Sequence, residues 1–464
     1  MAPGPFSRPS LDRRSFLRLS AGVATVVPLA ALAGCAGANA DPGVIRIAFQ
    51  QFGSGTVKEQ WITDAAAEFS AENPELTVEL VPIVASEGDY FTKNELLMSS
   101  PRTSPDLVYE DSFILLSDVG AGYLRPMTEL ATGYEHWGDV ADASKVAVTG
   151  EDGEIYGMPI TTDTRAIWFH RGVLEEAGLP GDWQPSTWED ILDAARAIRD
   201  SDSDATPFFM FCGTPQGEKA SMQGFEMLLY GTSAEGWLYD RETRKWIIGS
   251  TGFIDSLTFV RTIFEEDLTL PLAQHLDPNI SETIYNTLLP EKKLGMLIDG
   301  SWISRTWAES AARPWPEWPD VMGLADMPTQ DGGGNGTVTL AGGWGLSIPE
   351  YVTDKEIAFR FLETLVSTEN LVDYAIADNH ITVRDDVAAD ERYQGYSPAV
   401  DYFTRILKTA YYRPALPAYP QVSSAIQVAM EAVMTGDSPE SAAAAYDATV
   451  IDIVGRESVQ EAGA

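Results

Sequence analysis

Residues 156–198 read YGMPITTDTRAIWFHRGVLEEAGLPGDWQPSTWEDILDAARAI, and this stretch decides the fold class. Residues 155–160 are mostly apolar, and Pro159 disfavours a helical conformation for the residue before it, so they predict a strand. Residues 166–170 are also mostly apolar and contain aromatic side chains, which predicts a second strand. The polar residues 161–165 between them predict a short connector.

The second half of the same stretch predicts two helices. A short helix over 173–177 ends at Gly178, a residue that commonly terminates helices. Ser186 and Glu189 have the spacing of a capping box and open a longer helix. Apolar residues recur along this helix at a spacing that forms one face: Trp188, Ile191, Leu192, Ala195 and Ile198. Strands followed by helices are typical of an α/β fold.

The chain before this stretch repeats the same alternation. Strands are predicted over 44–49, 76–81 and 105–109, with helices over 57–71 and 89–99 between them. This order predicts a parallel sheet, in which ligands collect at the carboxyl ends of the strands. Three polar side chains follow those ends: Gln51, Glu110 and Asp111.

The N-terminus predicts export and a lipid anchor. Arg13 and Arg14 are followed by Phe-Leu, close to the twin-arginine export pattern. The apolar run 19–33 is too short to span a membrane and reads as the core of a signal peptide over 1–34. It ends in Leu-Ala-Gly before Cys35, which resembles a lipobox, so we expect a lipid on Cys35 and a tether over 35–43. The alternative is an ordinary signal peptide with an incidental cysteine.

The charge of the chain excludes several partner classes. Its formal net charge is −38 at pH 7. Such an acidic chain is not expected to bind nucleic acid or anionic lipid surfaces. No second long apolar run predicts another membrane segment. The composition therefore fits a domain that is held outside the cytoplasm, at the cell membrane, by its lipid.

Cysteine and histidine predict neither a disulfide nor a metal site. The chain has two cysteines, and Cys212 has no partner if Cys35 is acylated. Cys212 follows Phe208–Phe211 and is expected to be a buried core thiol. The histidines are scattered without metal-ligand spacing: His136, His170, His275 and His380. We expect no metal and no cofactor.

Four segments together resemble the extracellular solute-binding proteins of sugar ABC importers, a family that includes maltose- and trehalose-binding lipoproteins. They are residues 156–198, 293–302 (KLGMLIDGSW), 341–349 (AGGWGLSIP) and 413–443, which begins RPALPAYPQVSSAIQ. In this order and spacing, the four segments extend the resemblance over essentially the whole chain after the signal peptide. The resemblance implies the two-lobed, type II periplasmic-binding-protein-like α/β fold. Its hinge-linked lobes close over a ligand in the cleft between them.

The resemblance also implies the extent of each lobe. The first lobe would hold residues 44–158 and 330–382. The second lobe would hold residues 159–329 and 383–464.

Family members hold sugar with residues at corresponding positions. By this resemblance the ligand-binding residues are Gln51, Glu110, Asp111, Asp163, Arg165, Gln216, Trp302, Gly343, Trp344, Arg413 and Tyr419. A sugar stacks its C–H faces on indole rings and offers its hydroxyls to amides, carboxylates and guanidinium groups. The glycines around Trp344 leave its ring without bulky local neighbours, which favours contact with ligand. Alternatively, Trp302 packs in the core, and Asp163 with Arg165 forms a structural ion pair.

The implied function is capture of a sugar and its delivery to a membrane permease, by a monomer and without catalysis. The segment beginning at Arg413 resembles members that bind trehalose, maltose and related α-glucosides, which favours a di- or oligosaccharide. The competing hypothesis is a secreted glycoside hydrolase, which needs two carboxylates across a sugar. Nothing in the sequence marks such a pair. A metal- or siderophore-binding lipoprotein would need ligand clusters that the sequence lacks.

Overall fold

The computed structural model describes residues 43–51, 56–85, 87–232, 237–309 and 311–463. All of the elements below belong to one compact unit, Ala40–Ala464. Cys35 and the predicted signal peptide lie outside the described residues. Within these ranges no helix combines the length and the apolar character needed to cross a membrane.

The strands of the described part are short and spread along the chain. They are β1 (Val44–Gln51), β2 (Thr77–Val84), β3 (Leu107–Asp111), β4 (Met158–Asp163), β5 (Arg165–His170), β6 (Thr206–Phe209), β7 (Tyr239–Asp240), β8 (Lys245–Ile248), β9 (Leu294–Gly300), β10 (Met322–Ala325), β11 (Met327–Pro328), β12 (Thr337–Val338), β13 (Leu340–Ser347), β14 (Ile381–Thr382), β15 (Tyr411–Tyr412) and β16 (Val459–Glu461).

Helices cover the faces of the sheets. They are α1 (Val57–Glu72), α2 (Glu87–Met98), α3 (Leu115–Gly120), α4 (Thr128–Gly133), α5 (Asp142–Ala147), α6 (Arg171–Glu176), α7 (Trp188–Arg199), α8 (Glu226–Leu229), α9 (Thr251–Glu265), α10 (Leu272–His275), α11 (Ile280–Thr283), α12 (Trp318–Val321), α13 (Lys355–Leu365), α14 (Thr368–Asp378), α15 (Asp385–Ala388), α16 (Pro398–Ile406), α17 (Tyr419–Met434) and α18 (Pro439–Val454). Single π-helical segments, Lys219–Phe225 and Ile284–Leu288, interrupt the second half of the chain.

The first lobe is built on a mixed sheet. Its strand order is β14-β4-β13-β3-β1-β2, with β15 paired to β13. β1 is parallel to β2 and to β3, which confirms the predicted parallel arrangement of the first three strands. β13 runs antiparallel to β3 and to β4. Helices α1, α13 and α14 pack together on this lobe and bury its core.

The second lobe is built on a smaller sheet of order β10-β5-β9-β6. β5 is antiparallel to β9 and β10, and β6 is parallel to β9. The predicted apolar face of α7 is confirmed, because all of its members are buried in this lobe. Thr187 caps the helix, and its side chain accepts a hydrogen bond from Asp190 N at 3.2 Å. The capping box therefore lies one residue later than the predicted Ser186 and Glu189.

The chain passes from the first sheet to the second at Thr164. β4 continues through Asp163, and β5 begins at Arg165. The predicted polar connector over 161–165 is therefore wrong, because residues 161–163 pair with β13 and β14 and Arg165 pairs with β9 despite their polar side chains. The predicted lobe bounds, with a change at 158 and 159, stay a prediction.

Three segments that link the sheets are tied to one another. Thr339 Oγ1 accepts a hydrogen bond from Arg165 N at 2.9 Å and donates one to Arg165 O at 2.8 Å. Tyr411 N donates to Thr339 O at 2.9 Å. Thr164 Oγ1 donates to Phe403 O at 2.9 Å. The segments that cross between the lobes are therefore joined to one another by hydrogen bonds.

The glycines of β13 permit close strand packing. A Cβ at Gly343 would lie 2.3 Å from Thr161 O, and a Cβ at Gly345 would lie 2.8 Å from Met158 O. Both oxygens belong to the backbone of β4, which cannot move away without breaking the sheet. The glycine-rich sequence around Trp344 is thus required by the approach of β4.

Candidate functional site

Several predicted site residues lie at one edge of the first sheet. β3 and β4 both run antiparallel to β13, so they are parallel to each other, and β1 is parallel to β3. Their carboxyl ends therefore meet at the same edge, and they carry Gln51, Asp111 and Asp163. The second sheet begins at the same edge with Arg165.

A buried cluster around Arg413 connects the two lobes. Arg413 Nη2 donates to Asp111 Oδ1 at 3.0 Å, and Arg413 Nη1 donates to Glu218 Oε1 at 2.6 Å. The Tyr419 hydroxyl lies 2.8 Å from Glu218 Oε1 and 2.6 Å from Glu226 Oε1. All five side chains are buried. We call Asp111, Glu218, Glu226, Arg413 and Tyr419 the Arg413 cluster.

The Arg413 cluster holds one cation among three carboxyl groups. Burial, together with the smaller effect of the nearby Glu218, raises the pKa of Glu226 to about 8. Burial also raises the pKa of Asp111, although Arg413 opposes this change. Glu226 is therefore predominantly protonated at pH 7, and the cluster tolerates three acids around one guanidinium.

Asp163, Arg165 and Trp302 form a second contact between the lobes. Asp163 Oδ1 pairs with Arg165 Nη1 and accepts a hydrogen bond from Gly342 N at 2.9 Å. The guanidinium carbon of Arg165 lies 4.9 Å from the Trp302 ring centroid. Trp302 is only half-buried, so part of its ring is accessible.

Trp344 packs against aromatic rings of the first lobe. Its ring stacks on Tyr109, with centroids 4.9 Å apart and an interplanar angle of 13°. Phe91 stacks at 5.9 Å and 19°. The glycines leave the indole without bulky neighbours along its own strand, as expected, but neighbouring elements supply the aromatic rings that pack against it. Trp344 remains half-buried and keeps some exposed surface.

Sequence reasoning missed a charged group beside Trp344. Lys58 Nζ lies 3.9 Å from the Tyr109 ring centroid and 5.3 Å from the Trp344 ring centroid. Arg305 of the second lobe pairs with Asp378 of the first, with Nη1 and Oδ2 2.9 Å apart. Burial lowers the pKa of Lys58 to about 7. Burial opposes ionisation of Asp378, but Arg305 lowers its pKa to about 2, so it is charged.

One signal in the sequence could have identified Lys58. It lies in the first turn of α1, where the helix dipole disfavours a cation. The Arg305–Asp378 pair gives no such signal, because its members lie 73 residues apart in the chain. Tertiary structure alone brings them together.

Three predicted residues do not join these groups. Glu110 lies inside the first lobe, where Asn94 Nδ2 donates to its Oε1 at 2.5 Å, because side chains alternate along β3 and only Asp111 reaches Arg413. Gln216 lies inside the second lobe and donates to the backbone oxygens of His275 and Asp277 at 2.5 and 2.8 Å. Gln51 lies at the shared edge, but its Nε2 faces Glu59 Oε2 at 3.4 Å.

One group of side chains in the described ranges has metal-ligand atoms within 4.8 Å of one another: His136, Asp139 and Asp386. Arg384 pairs with Asp386, and Thr368 Oγ1 donates to the same carboxylate at 2.5 Å. These contacts occupy the carboxylate that a metal would need. The group therefore gives no support to a metal centre.

Comparison with known proteins identifies relatives of the chain. The family model described as bacterial extracellular solute-binding protein matches residues 53–371. A putative binding protein of Brucella abortus is 21% identical over 407 residues, covering 86% of this chain and 90% of the relative. A maltooligosaccharide ABC transporter solute-binding lipoprotein of Streptococcus pneumoniae is 20% identical over 232 residues, covering 49% of each chain.

Solved structures share the fold. A solute-binding protein of Thermotoga lettingae with bound α-D-tagatose is 23% identical, with a TM-score of 0.74, covering 89% of this chain and 100% of that chain. Maltose-bound MalE3 of T. maritima is 20% identical, also with a TM-score of 0.74, covering 88% of this chain and 100% of that chain. At these identities the likeness establishes the two-lobed fold.

Proposed function

The chain belongs to the bacterial extracellular solute-binding proteins, and on this premise we propose that it captures a carbohydrate between its lobes and delivers it to an ABC permease. The observation that supports a carbohydrate is the combination of aromatic and charged side chains at the shared edge. Trp344, stacked on the buried Tyr109, offers aromatic surface on the first lobe, and Trp302 lies on the second. Sugars need such rings for their C–H faces and charged or polar groups for their hydroxyls.

We propose that the residues at the interlobe edge contact the sugar directly. They are Gln51, Asp111, Asp163, Arg165, Trp302, Trp344 and Arg413, with Lys58 and Arg305 added from the structure. Gly343 contributes by letting β13 approach β4, which positions the neighbouring Trp344. Glu110, Gln216 and Tyr419 are held within their lobes by the hydrogen bonds described above. We propose that these three support the site without touching ligand.

The sugar is proposed to be a di- or oligosaccharide, with trehalose and maltose as first candidates. The similarity of residues 413–427 to α-glucoside binders supports this choice. Two compared proteins are named for maltooligosaccharide or carry maltose, but another carries tagatose, a monosaccharide. The family therefore accommodates sugars of different size.

We further propose that Cys35 carries a lipid that anchors the protein to the outer face of the cell membrane. The motif before Cys35 supports this, and the Streptococcus pneumoniae relative is itself named a lipoprotein. The protein is proposed to act as a monomer. Closure of its lobes over sugar would present the closed form to the permease.

A thermal-shift screen against mono-, di- and oligosaccharides tests the proposal, followed by calorimetric titration of each stabilising sugar. We expect micromolar binding, about −8 kcal/mol, with every sugar recovered unchanged. Product analysis after incubation is the control for catalysis. Hydrolysis at a rate proportional to protein concentration would instead support the glycoside hydrolase. The absence of any carbohydrate that stabilises or binds the protein would overturn the proposal.

A further inference from the structure

Lys58 occupies a position that is unfavourable for a cation. It lies in the first turn of α1, a helix of 16 residues whose N-terminal end carries positive partial charge. Its side chain is half-buried against Tyr109 and Trp344, so its ammonium has also lost hydration. Local rules are commonly broken at functional sites, where another interaction compensates.

The protein supplies little of that compensation. Across the described ranges, Lys58 has no hydrogen bond and no ion pair, and its contacts are the faces of the two rings. The carboxylate that acts on it, Asp378, is paired with Arg305 at 2.9 Å. A ring face attracts a cation more weakly than a carboxylate at hydrogen-bonding distance.

The charges around Lys58 leave a local positive excess. Arg305 and Asp378 balance each other, and Tyr109 and Tyr374 are uncharged because burial raises the pKa of both phenols. His380 faces Asp378, and burial lowers its pKa, which favours the neutral ring. Lys58, whose pKa burial lowers to about 7, is therefore the group here that carries a positive charge without a counterion when it is protonated.

We infer that Lys58 makes the site select a carbohydrate that carries a carboxylate over the neutral sugar of the same stereochemistry. The inference rests on the proposed function and specifies its ligand further. A pyranose stacked on the accessible part of Trp344 would place its substituents near an ammonium that lies 5.3 Å from the ring centroid. A uronate carboxylate would supply the counterion and a charge-assisted hydrogen bond.

Calorimetric titration with matched sugars tests the inference. The pairs are glucose with glucuronate and galactose with galacturonate, and the panel also includes digalacturonate, trehalose and maltose. We expect at least one uronate to bind about tenfold or more tightly than its neutral partner. Lys58→Met should remove this preference, and Lys58→Arg should retain most of it. Lys355→Met is the matched control, since Lys355 opens α13 and its ammonium faces Glu356 at the surface.

A pH series adds a readout that a merely structural lysine would not change. Affinity for the uronate should fall from pH 7 to pH 9 as Lys58 loses its proton, while affinity for neutral sugars should stay constant. A wild-type protein that binds trehalose or maltose but prefers no uronate overturns the inference and leaves the proposed function intact. Equal losses for acidic and neutral sugars in Lys58→Met also overturn it. A protein that binds no member of the panel overturns both.

Discussion

Arg413 Nη2 lies 3.0 Å from Asp111 Oδ1, although the two residues are 302 positions apart in the chain. Asp111 ends β3 of the first lobe, and Arg413 follows β15 in a late crossing segment. The other nitrogen of the same guanidinium binds Glu218 of the second lobe at 2.6 Å. One side chain therefore links the lobes and holds two buried carboxylates.

Replacement of Arg413 by methionine should destabilise the protein strongly. The substitution keeps most of the side-chain volume but leaves Asp111 and Glu218 buried without their cation. Removal of one partner from a buried ion pair costs about 3–5 kcal/mol. We expect a loss of this size in the free energy of unfolding, measured by urea denaturation with fluorescence.

The surface variant Arg125→Met provides the control for this measurement. Arg125 pairs with Glu350 at 3.1 Å, and both side chains are more than a third exposed. Exposed ion pairs contribute about 0–1 kcal/mol, so the control should unfold almost as wild type does. Similar losses in the two variants would show that the buried ion pairs of Arg413 contribute no more to the free energy of unfolding than an exposed ion pair does.

Trp344→Ala should weaken both sugar binding and the fold. The indole stacks on Tyr109 and Phe91, so its removal opens a space in the first lobe. We expect the free energy of unfolding to fall by about 2 kcal/mol, less than the ~3–5 kcal/mol of a fully buried aromatic. Affinity for the sugar found in the screen should fall about tenfold or more.

Calorimetry and melting curves without ligand measure the two effects separately. Trp344→Phe should recover most of the stability, since a ring still stacks on Tyr109. Wild-type affinity in Trp344→Ala, together with reduced stability, would place Trp344 in the core and remove it from the binding site.

The fold was largely predictable from periodicity and from rules for strand order. The apolar face of α7 and the strand β5 followed directly from local sequence. The segment over 161–163 was misread because its side chains are polar, whereas its backbone pairs with β13 and β14. A polar segment forms an exposed connector only when its backbone does not pair with a neighbouring strand.

The candidate site was predictable only in part. The rule for parallel strands identified Asp111 at an edge that the structure also gives to Asp163. The same rule did not separate Asp111 from Glu110, because side chains alternate along β3 and the strand end alone does not indicate the face. Glu218, Arg305 and Asp378 were missed since their partners lie far away in the sequence.

Cys35→Ala should prevent membrane anchoring. The proposed lipid would be attached through the cysteine sulfur, so the variant would have no acceptor, although its apolar run remains. We expect either an uncleaved precursor or release of the protein into the medium, detected by fractionation and by the mass of the N-terminal peptide. Unchanged membrane association of a mature-size form would contradict the lipobox interpretation.

Glu226→Gln should change how stability depends on pH. The pKa of Glu226 is raised from 4.5 to about 8 in the folded protein, so between these values the folded state binds more protons than the unfolded state. Stability of the wild type is therefore lost as pH rises through this window. Glutamine does not titrate and can still accept the Tyr419 hydrogen bond.

The Glu226→Gln variant should match the wild type near pH 4 and become more stable than the wild type by pH 8, in urea denaturation at each pH. The exposed Glu282→Gln serves as control and should follow the wild type throughout. A stability difference for Glu226→Gln that stays constant from pH 4 to pH 8 would show that Glu226 is ionised in the folded protein.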